Sequence, residues 1–202
     1  MTEGKADVYI IESLHEDDER EGEVISKTLR MSGKNPIYRY VRTAQELQHF
    51  VDDFEDSEYR YLHISCHGGK RGIATTLDHL TTEEFAAIVG PALDGKRLFM
   101  STCLAATMAM AGAVFRAGGA TSLAGPKNKI YFDDSVILWS AFYHLMFKTD
   151  ADRMKRIHIK EKLAKVGLLV NEKINFYHRI RVDSNLPKCV ELPTSTSTKS
   201  LV

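Results

Sequence analysis

The chain has 202 residues, of which 44% are apolar and 27% charged, enough for one soluble domain with its own core. Its 27 Lys and Arg balance 27 Asp and Glu, which argues against a protein whose main task is gripping nucleic acid. Collagen, coiled coil and wholesale disorder are excluded by the same composition.

The apolar run Val8-Tyr9-Ile10-Ile11 predicts a buried strand. Residues 15–23 are strongly acidic, and Val24, Ile25 and Leu29 follow at helical spacing. The acids therefore read as the solvated first turn of a helix, where the helix dipole favours them. Gly33-Lys34-Asn35-Pro36 breaks that helix, and residues 37–41 form a second strand. Thr43 with Glu46 makes a capping box, and Leu47, Phe50, Val51 and Phe54 give the helix it opens a buried face. A third strand over 59–66 is expected to end at His67-Gly68-Gly69, with an extra extended piece over 72–77. Thr81 and Glu84 repeat the capping signal ahead of Phe85, Ile88 and Val89.

A fourth strand over 96–102 ends at Cys103. Residues 104–117 predict an Ala- and Met-rich helix, with Met108 and Met110 as core filler. Gly118-Gly119 stops it, and 120–124 is a short fifth strand. Residues 136–147 are apolar nearly all round and predict a buried helix, 154–170 a basic amphipathic helix, and 176–182 a sixth strand. A single domain over 1–190 is expected, followed by a polar, low-complexity, disordered tail over 191–202.

Three cysteines, Cys66, Cys103 and Cys189, are too few and too odd in number for a disulfide framework, which points to a reducing compartment. The first residues lack a secretory pattern, and no stretch approaches the roughly 18 apolar residues that span a bilayer. The expectation is a cytoplasmic protein with no membrane and no nucleic-acid partner.

The alternation of strands and helices predicts an α/β fold, a three-layer αβα sandwich around a mostly parallel six-stranded sheet. Ligands in such sheets bind beyond the carboxyl ends of the strands. The two conspicuous features of the sequence sit there: Leu62-His63-Ile64-Ser65-Cys66-His67-Gly68-Gly69 and Leu98-Phe99-Met100-Ser101-Thr102-Cys103. Neighbouring strands lie about 4.8 Å apart, so if these two pair, His67 and Cys103 emerge side by side. A thiol beside an imidazole is a nucleophile with a base, and the thiolate is its reactive form.

Cys66 fails as the nucleophile because successive side chains of an extended chain point to opposite faces; it reads as a core cysteine. Zinc is disfavoured, since His63 and His67 would stand about 13 Å apart along a strand. His63 is most simply an interior histidine, with a supporting role near the site as the alternative. Gly68-Gly69-Lys70-Arg71-Gly72 has neither dinucleotide nor P-loop spacing, so a flavodoxin-like small-molecule or nucleotide binder is the weakest of the readings. No metal and no cofactor are implied.

The pair His67-Gly68 and Thr102-Cys103 resembles the caspase-like (clan CD) cysteine peptidases, and most closely the CHAT-domain proteases, which are related to separases. Those proteins carry a hydrophobic strand ending in His-Gly and a later one ending in a small residue plus Cys. Looser similarity lies in Leu80-Thr81-Thr82-Glu83-Glu84-Phe85, Phe115-Arg116-Ala117-Gly118-Gly119-Ala120-Thr121-Ser122 and Phe142-Tyr143-His144-Leu145-Met146, so it covers about residues 59–148. The resemblance implies a caspase-hemoglobinase-like fold and a cysteine endopeptidase that cuts a specific partner protein. Cys103 would be the nucleophile and His67 the general acid/base. The backbone N–H groups of Cys103 and Gly68 would form the oxyanion hole. Short relatives of this kind often act in bacterial antiviral defence or cell death, and a regulatory or activating protein would be a further partner. No orienting third residue is evident.

The chain also departs from the family. Many CHAT and separase relatives have a Trp-Asp-Val-like block after the fifth strand, where an acid selects a basic P1 side chain; here residues 125–134 replace it. Asp133 and Asp134 would line a substrate pocket, or simply cap a helix. The caspase Gln-Ala-Cys-Arg-Gly block is absent, so aspartate specificity is not supported. Fifteen acids against eight bases over residues 1–60, and nine bases against three acids over 151–181, suit either a partner or two solvated faces. A catalytically inactive caspase-like interaction module is the main alternative to the enzyme.

Overall fold

The computed structural model describes residues 5–180 and 187–192. The apolar N-terminal run becomes β1 (Lys5–Ser13), buried from Val8 onward. It pairs in parallel with β2 (Ile37–Tyr40) on one side and β3 (Tyr59–Gly69) on the other. β3 in turn pairs in parallel with β6 (Arg97–Ser101), and β6 with β7 (Ser122–Pro126). The sheet closes with two antiparallel strands, β8 (Ile174–Arg179) and β9 (Pro187–Glu191), in the order β2-β1-β3-β6-β7-β8-β9. A short hairpin of β4 (Gly72–Ala74) and β5 (His79–Thr81) attaches to the far end of β3.

The expected six-stranded sheet is therefore too small. The path has a seventh strand, β9, which Pro187-Lys188-Cys189 did not announce because it lacks an alternating apolar pattern. The extended piece predicted over 72–77 is shorter than expected and folds as half of a hairpin. Of the expected tail, all but Glu191 and Leu192 lies outside the described residues.

Helices connect the parallel strands, as parallel pairing requires. α1 (Glu21–Met31), α5 (Phe132–Thr149) and α6 (Arg156–Leu169) supply one core, where Ile25, Leu29, Trp139, Phe142, Leu163 and Val166 pack on Val8, Ile10 and Phe99 of the sheet. α2 (Ala44–Asp56), α3 (Thr82–Val89) and α4 (Met108–Ala117) supply the other, against Tyr9, Ile11, Leu62, Ile64 and Met100. The sheet thus has helices on either face, as an α/β sandwich does. Each fully buried aliphatic or aromatic side chain contributes about 1.5–3 kcal/mol.

Both capping boxes form: Thr43 Oγ1 accepts from the Glu46 N–H and Thr81 Oγ1 from the Glu84 N–H. The predicted helix over 104–117 begins only at Met108, because Thr107 Oγ1 caps it by accepting from the Met110 N–H. Met110 fills the core as expected, but Met108 is half-exposed. His63 is wholly buried, with Nδ1 2.9 Å from the Tyr143 hydroxyl and its ring edge-on to Trp139. Burial pushes its pKa down to about 3, so it is a neutral core histidine. No helix among the described residues is long and apolar enough to cross a membrane.

Candidate functional site

Strand register builds the site. On β3 and β6, Ser65 lies opposite Ser101. One residue further, the Cys66 thiol and Thr102 hydroxyl are 3.5 Å apart. Two residues further come His67 and Cys103, and both line one cavity of about 130 Å³. Its other lining residues include Glu21, Ser101, Tyr131, Phe132 and Ser135.

The strand carrying His67 does not end there, contrary to the sequence expectation. β3 runs on through Gly69, pairing His67 with Ala74 and Gly68 with Ile73 in the β4 hairpin. The imidazole is thereby fixed on a paired strand rather than a loop. Its Nε2 lies 2.7 Å from Asp18 Oδ2. The ring stacks on His15 at 4.8 Å between centroids and meets the Phe132 ring edge-on at 5.8 Å. Asp18 also accepts from the His15 N–H at 2.9 Å. Partial burial pushes the Asp18 carboxyl up, but the hydrogen bonds from His67 and from the His15 backbone, with both imidazoles nearby, outweigh it and hold the pKa below the usual value.

Cys103 follows the last residues of β6. Leu104 after it has φ of 58°, a left-handed conformation rare for a bulky residue, and its N–H bonds the Asn128 carbonyl at 3.2 Å. The turn holds the thiol against residue 130: Sγ donates to the Ile130 carbonyl at 3.4 Å and accepts the Ile130 N–H at 3.5 Å. Gly68 faces the same turn. A Cβ at Gly68 would stand 2.4 Å from Thr102 Cγ2 and 3.3 Å from the Cys103 carbonyl, so this close approach requires glycine. Cys66 is a core cysteine as expected, and burial pushes its thiol up to about 12.

Two functional-looking acids were missed in the sequence. Asp18 and Glu21 belong to the acidic run read as a solvated helical turn. In the fold, residues before Glu21 form a loop at the carboxyl end of β1, and Glu21 is only 4% exposed. Its Oε1 accepts from Ser65 Oγ at 2.7 Å, while among the described residues Oε2 has no hydrogen-bond partner. Burial pushes its pKa up to about 7; the Ser101, Ser65 and Ser135 hydroxyls pull against the rise, and Glu12 adds to it. Ser101 and Ser135 also pair with each other at 2.5 Å. The available signal was position, since a run directly after a strand's carboxyl end lies where α/β sheets gather ligands.

The proposed pocket acids separate. Asp133, with Glu19, Val24, Tyr131 and Val136, lines a groove of about 420 Å³ that adjoins the cavity of His67 and Cys103 through Glu21, Tyr131 and Phe132. Asp134 lines neither; its N–H bonds Asp133 Oδ1 at 3.0 Å in the first turn of α5. His67 also lines a trough of about 640 Å³ that runs along Gly68 to Ala74, with His15 and His79. Among the described residues, no three His, Cys, Asp or Glu side chains gather in a way that would hold a metal ion.

The cavity thus joins a partly exposed thiol and an imidazole on a paired strand, and Asp18, which does not line the cavity, binds that imidazole at Nε2. No family model and no curated protein matches the chain.

Proposed function

We propose that the chain is a caspase-like cysteine endopeptidase of the CHAT-domain kind, with a caspase-hemoglobinase-like fold, that cleaves a specific partner protein. The observation that carries this reading is the shared cavity of Cys103 and His67, with Asp18 on the imidazole Nε2. A carboxylate on Nε2 keeps the proton on that nitrogen and leaves the Nδ1 lone pair for the thiol. His67 takes the Cys103 proton as the sulfur attacks the scissile carbonyl carbon. The Gly68 and Cys103 N–H groups receive the charge that develops on its oxygen. The C–N bond then breaks, His67 gives its proton to the departing amine, and an acyl-thioester remains on Cys103. Water, deprotonated by His67, attacks that thioester, releases the acid and returns the thiol. The trough that His67 lines and the groove that adjoins the cavity offer room for the peptide. The resemblance suggests such an activity in a bacterial antiviral-defence or cell-death response under a regulatory protein, and the few cysteines suggest the cytoplasm as its setting.

The test is digestion of a protein-derived peptide library. Wild-type chain is expected to yield new termini, and Cys103→Ala and His67→Ala none. Cleavage undiminished in either variant removes the assignment. A second reading, an inactive interaction module, draws on the double contact of the thiol with the Ile130 backbone, which occupies the nucleophile. Under it, the wild-type chain would give no new termini.

A further inference from the structure

At the amino ends of the strands, opposite the Cys103 end, the fold gathers cations that the peptidase reading does not use. A cavity of about 210 Å³ is lined by Arg60, Tyr61, Gly95, Arg97, Arg153, Met154 and Lys155. The strands bring the first of these together, since β3 and β6 pair Tyr61 with Arg97. The segment between α5 and α6 brings Arg153, Met154 and Lys155, and it is pinned in place: the Met154 N–H donates to Tyr61 Oη at 2.9 Å. Asp150 accepts from the Arg153 N–H at 2.9 Å and the Lys155 N–H at 3.1 Å, and pairs with His158 at 3.2 Å. Asp150 is thus held by backbone N–H groups, and among the described residues no carboxylate lines the cavity.

Two of the guanidinium groups, those of Arg60 and Arg97, are poorly answered among the described residues. Arg97 is half-buried, and its guanidinium donates to Ser122 Oγ at 2.9 Å. Arg60 donates to the Asp152 carbonyl, while its buried Nε–H has no acceptor among the described residues. Among the described residues, neither Arg60, Arg97 nor Lys155 has a carboxylate within 4.0 Å. Burial, then the like charges of Arg156 and Arg60, push the Arg97 pKa below its usual value against Tyr61 and Asp150. Buried charge of one sign is costly unless an opposite charge meets it. Planar guanidinium forks match the oxygens of a tetrahedral phosphate, and lysine adds a point charge.

We propose that this pocket binds the phosphate group of a small molecule, either inorganic phosphate or a phosphate monoester. Its volume is below the roughly 300 Å³ at which pockets for drug-sized ligands begin, so it takes the phosphate and leaves any larger substituent outside. The balanced charge of the whole chain disfavours a nucleic-acid backbone as the occupant.

The experiment is titration calorimetry of the full chain with inorganic phosphate, glycerol phosphate and a single-stranded oligonucleotide, at ionic strength matched with chloride. Saturable one-site binding of phosphate is expected, weakened at least about tenfold in Arg97→Gln. Arg153→Ala and Lys155→Ala remove exposed side chains, so they keep the test valid if Arg97→Gln does not fold, and each should also weaken binding severalfold. Lys27→Ala, on α1, should leave it unchanged. Tighter binding of glycerol phosphate than of phosphate identifies a monoester as the ligand, and equal or weaker binding identifies inorganic phosphate. No saturable binding, affinity unchanged in all three pocket variants, or an oligonucleotide bound more tightly through these residues than either small anion overturns the proposal.

Discussion

Asp18 Oδ2 and His67 Nε2 lie 2.7 Å apart although 49 positions separate them in sequence. The loop after β1 and the extended end of β3 bring them together, and the contact settles which imidazole nitrogen faces away from the carboxylate. In the proposed mechanism that nitrogen, Nδ1, is the base.

Asp18→Asn tests this relationship. An amide at position 18 can donate to Nε2, which moves the imidazole proton to Nδ1 and removes the lone pair the thiol needs. Turnover is expected to fall roughly 10²–10⁴-fold with KM little changed. The nitrogen chemical shifts of His67 should report the change of tautomer, a readout that a merely structural Asp18 would leave alone. Unchanged turnover and unchanged shifts would show that Asp18 does not orient the base.

Glu21→Gln should alter how stability varies with pH. The Glu21 pKa is about 7 in the fold against an ordinary value of 4.5. Below pH 4.5 both folded and unfolded chains hold the proton, and Glu21 makes no difference. Between about pH 4.5 and 7 the folded chain keeps a proton that the unfolded chain has released, so wild type loses stability relative to the variant as pH rises. Above about pH 7 the gap is complete, at roughly 3 kcal/mol in favour of the variant. Urea unfolding of both chains across this range measures it; parallel curves would refute a buried, ionisable Glu21.

Gly68→Ala places a methyl group 2.4 Å from Thr102 Cγ2, and Thr102 is buried and short, so it cannot swing away. The expected cost is about 1–3 kcal/mol of stability, with a larger loss of cleavage because the Cys103 turn must shift. Thr102→Ser added to Gly68→Ala removes the struck methyl group and should recover part of both. Thermal melting and cleavage rates of the single and double variants check this.

Much of the fold was legible because its signals are local. The Thr43–Glu46 and Thr81–Glu84 boxes announced α2 and α3 within four residues of chain. Unbroken apolar runs announced β1 and β6, which are buried on both faces. The edge strand β9 carries Pro187 and Lys188 and has no such run, so composition gave no sign of it. The position of His67 and Cys103 could be anticipated from one assumption, that their strands are neighbours, and the Ser65–Ser101 register bears it out. Asp18 and Glu21 were hidden for the opposite reason. An acidic stretch ahead of a helix looks solvated, and only the packing of α1 and the β1 loop against Ser65 and His67 turns two of its members inward.

The most direct test of the account is the rate at which iodoacetamide alkylates Cys103 across pH 6–8, followed by peptide mass spectrometry in wild type and His67→Ala. An imidazole that takes the thiol proton raises the thiolate fraction near neutrality. The account predicts that wild-type Cys103 reacts at least about tenfold faster than a free thiol at about pH 6.5, and that His67→Ala loses this advantage. Equal rates in the two proteins, both matching a free thiol, would contradict it.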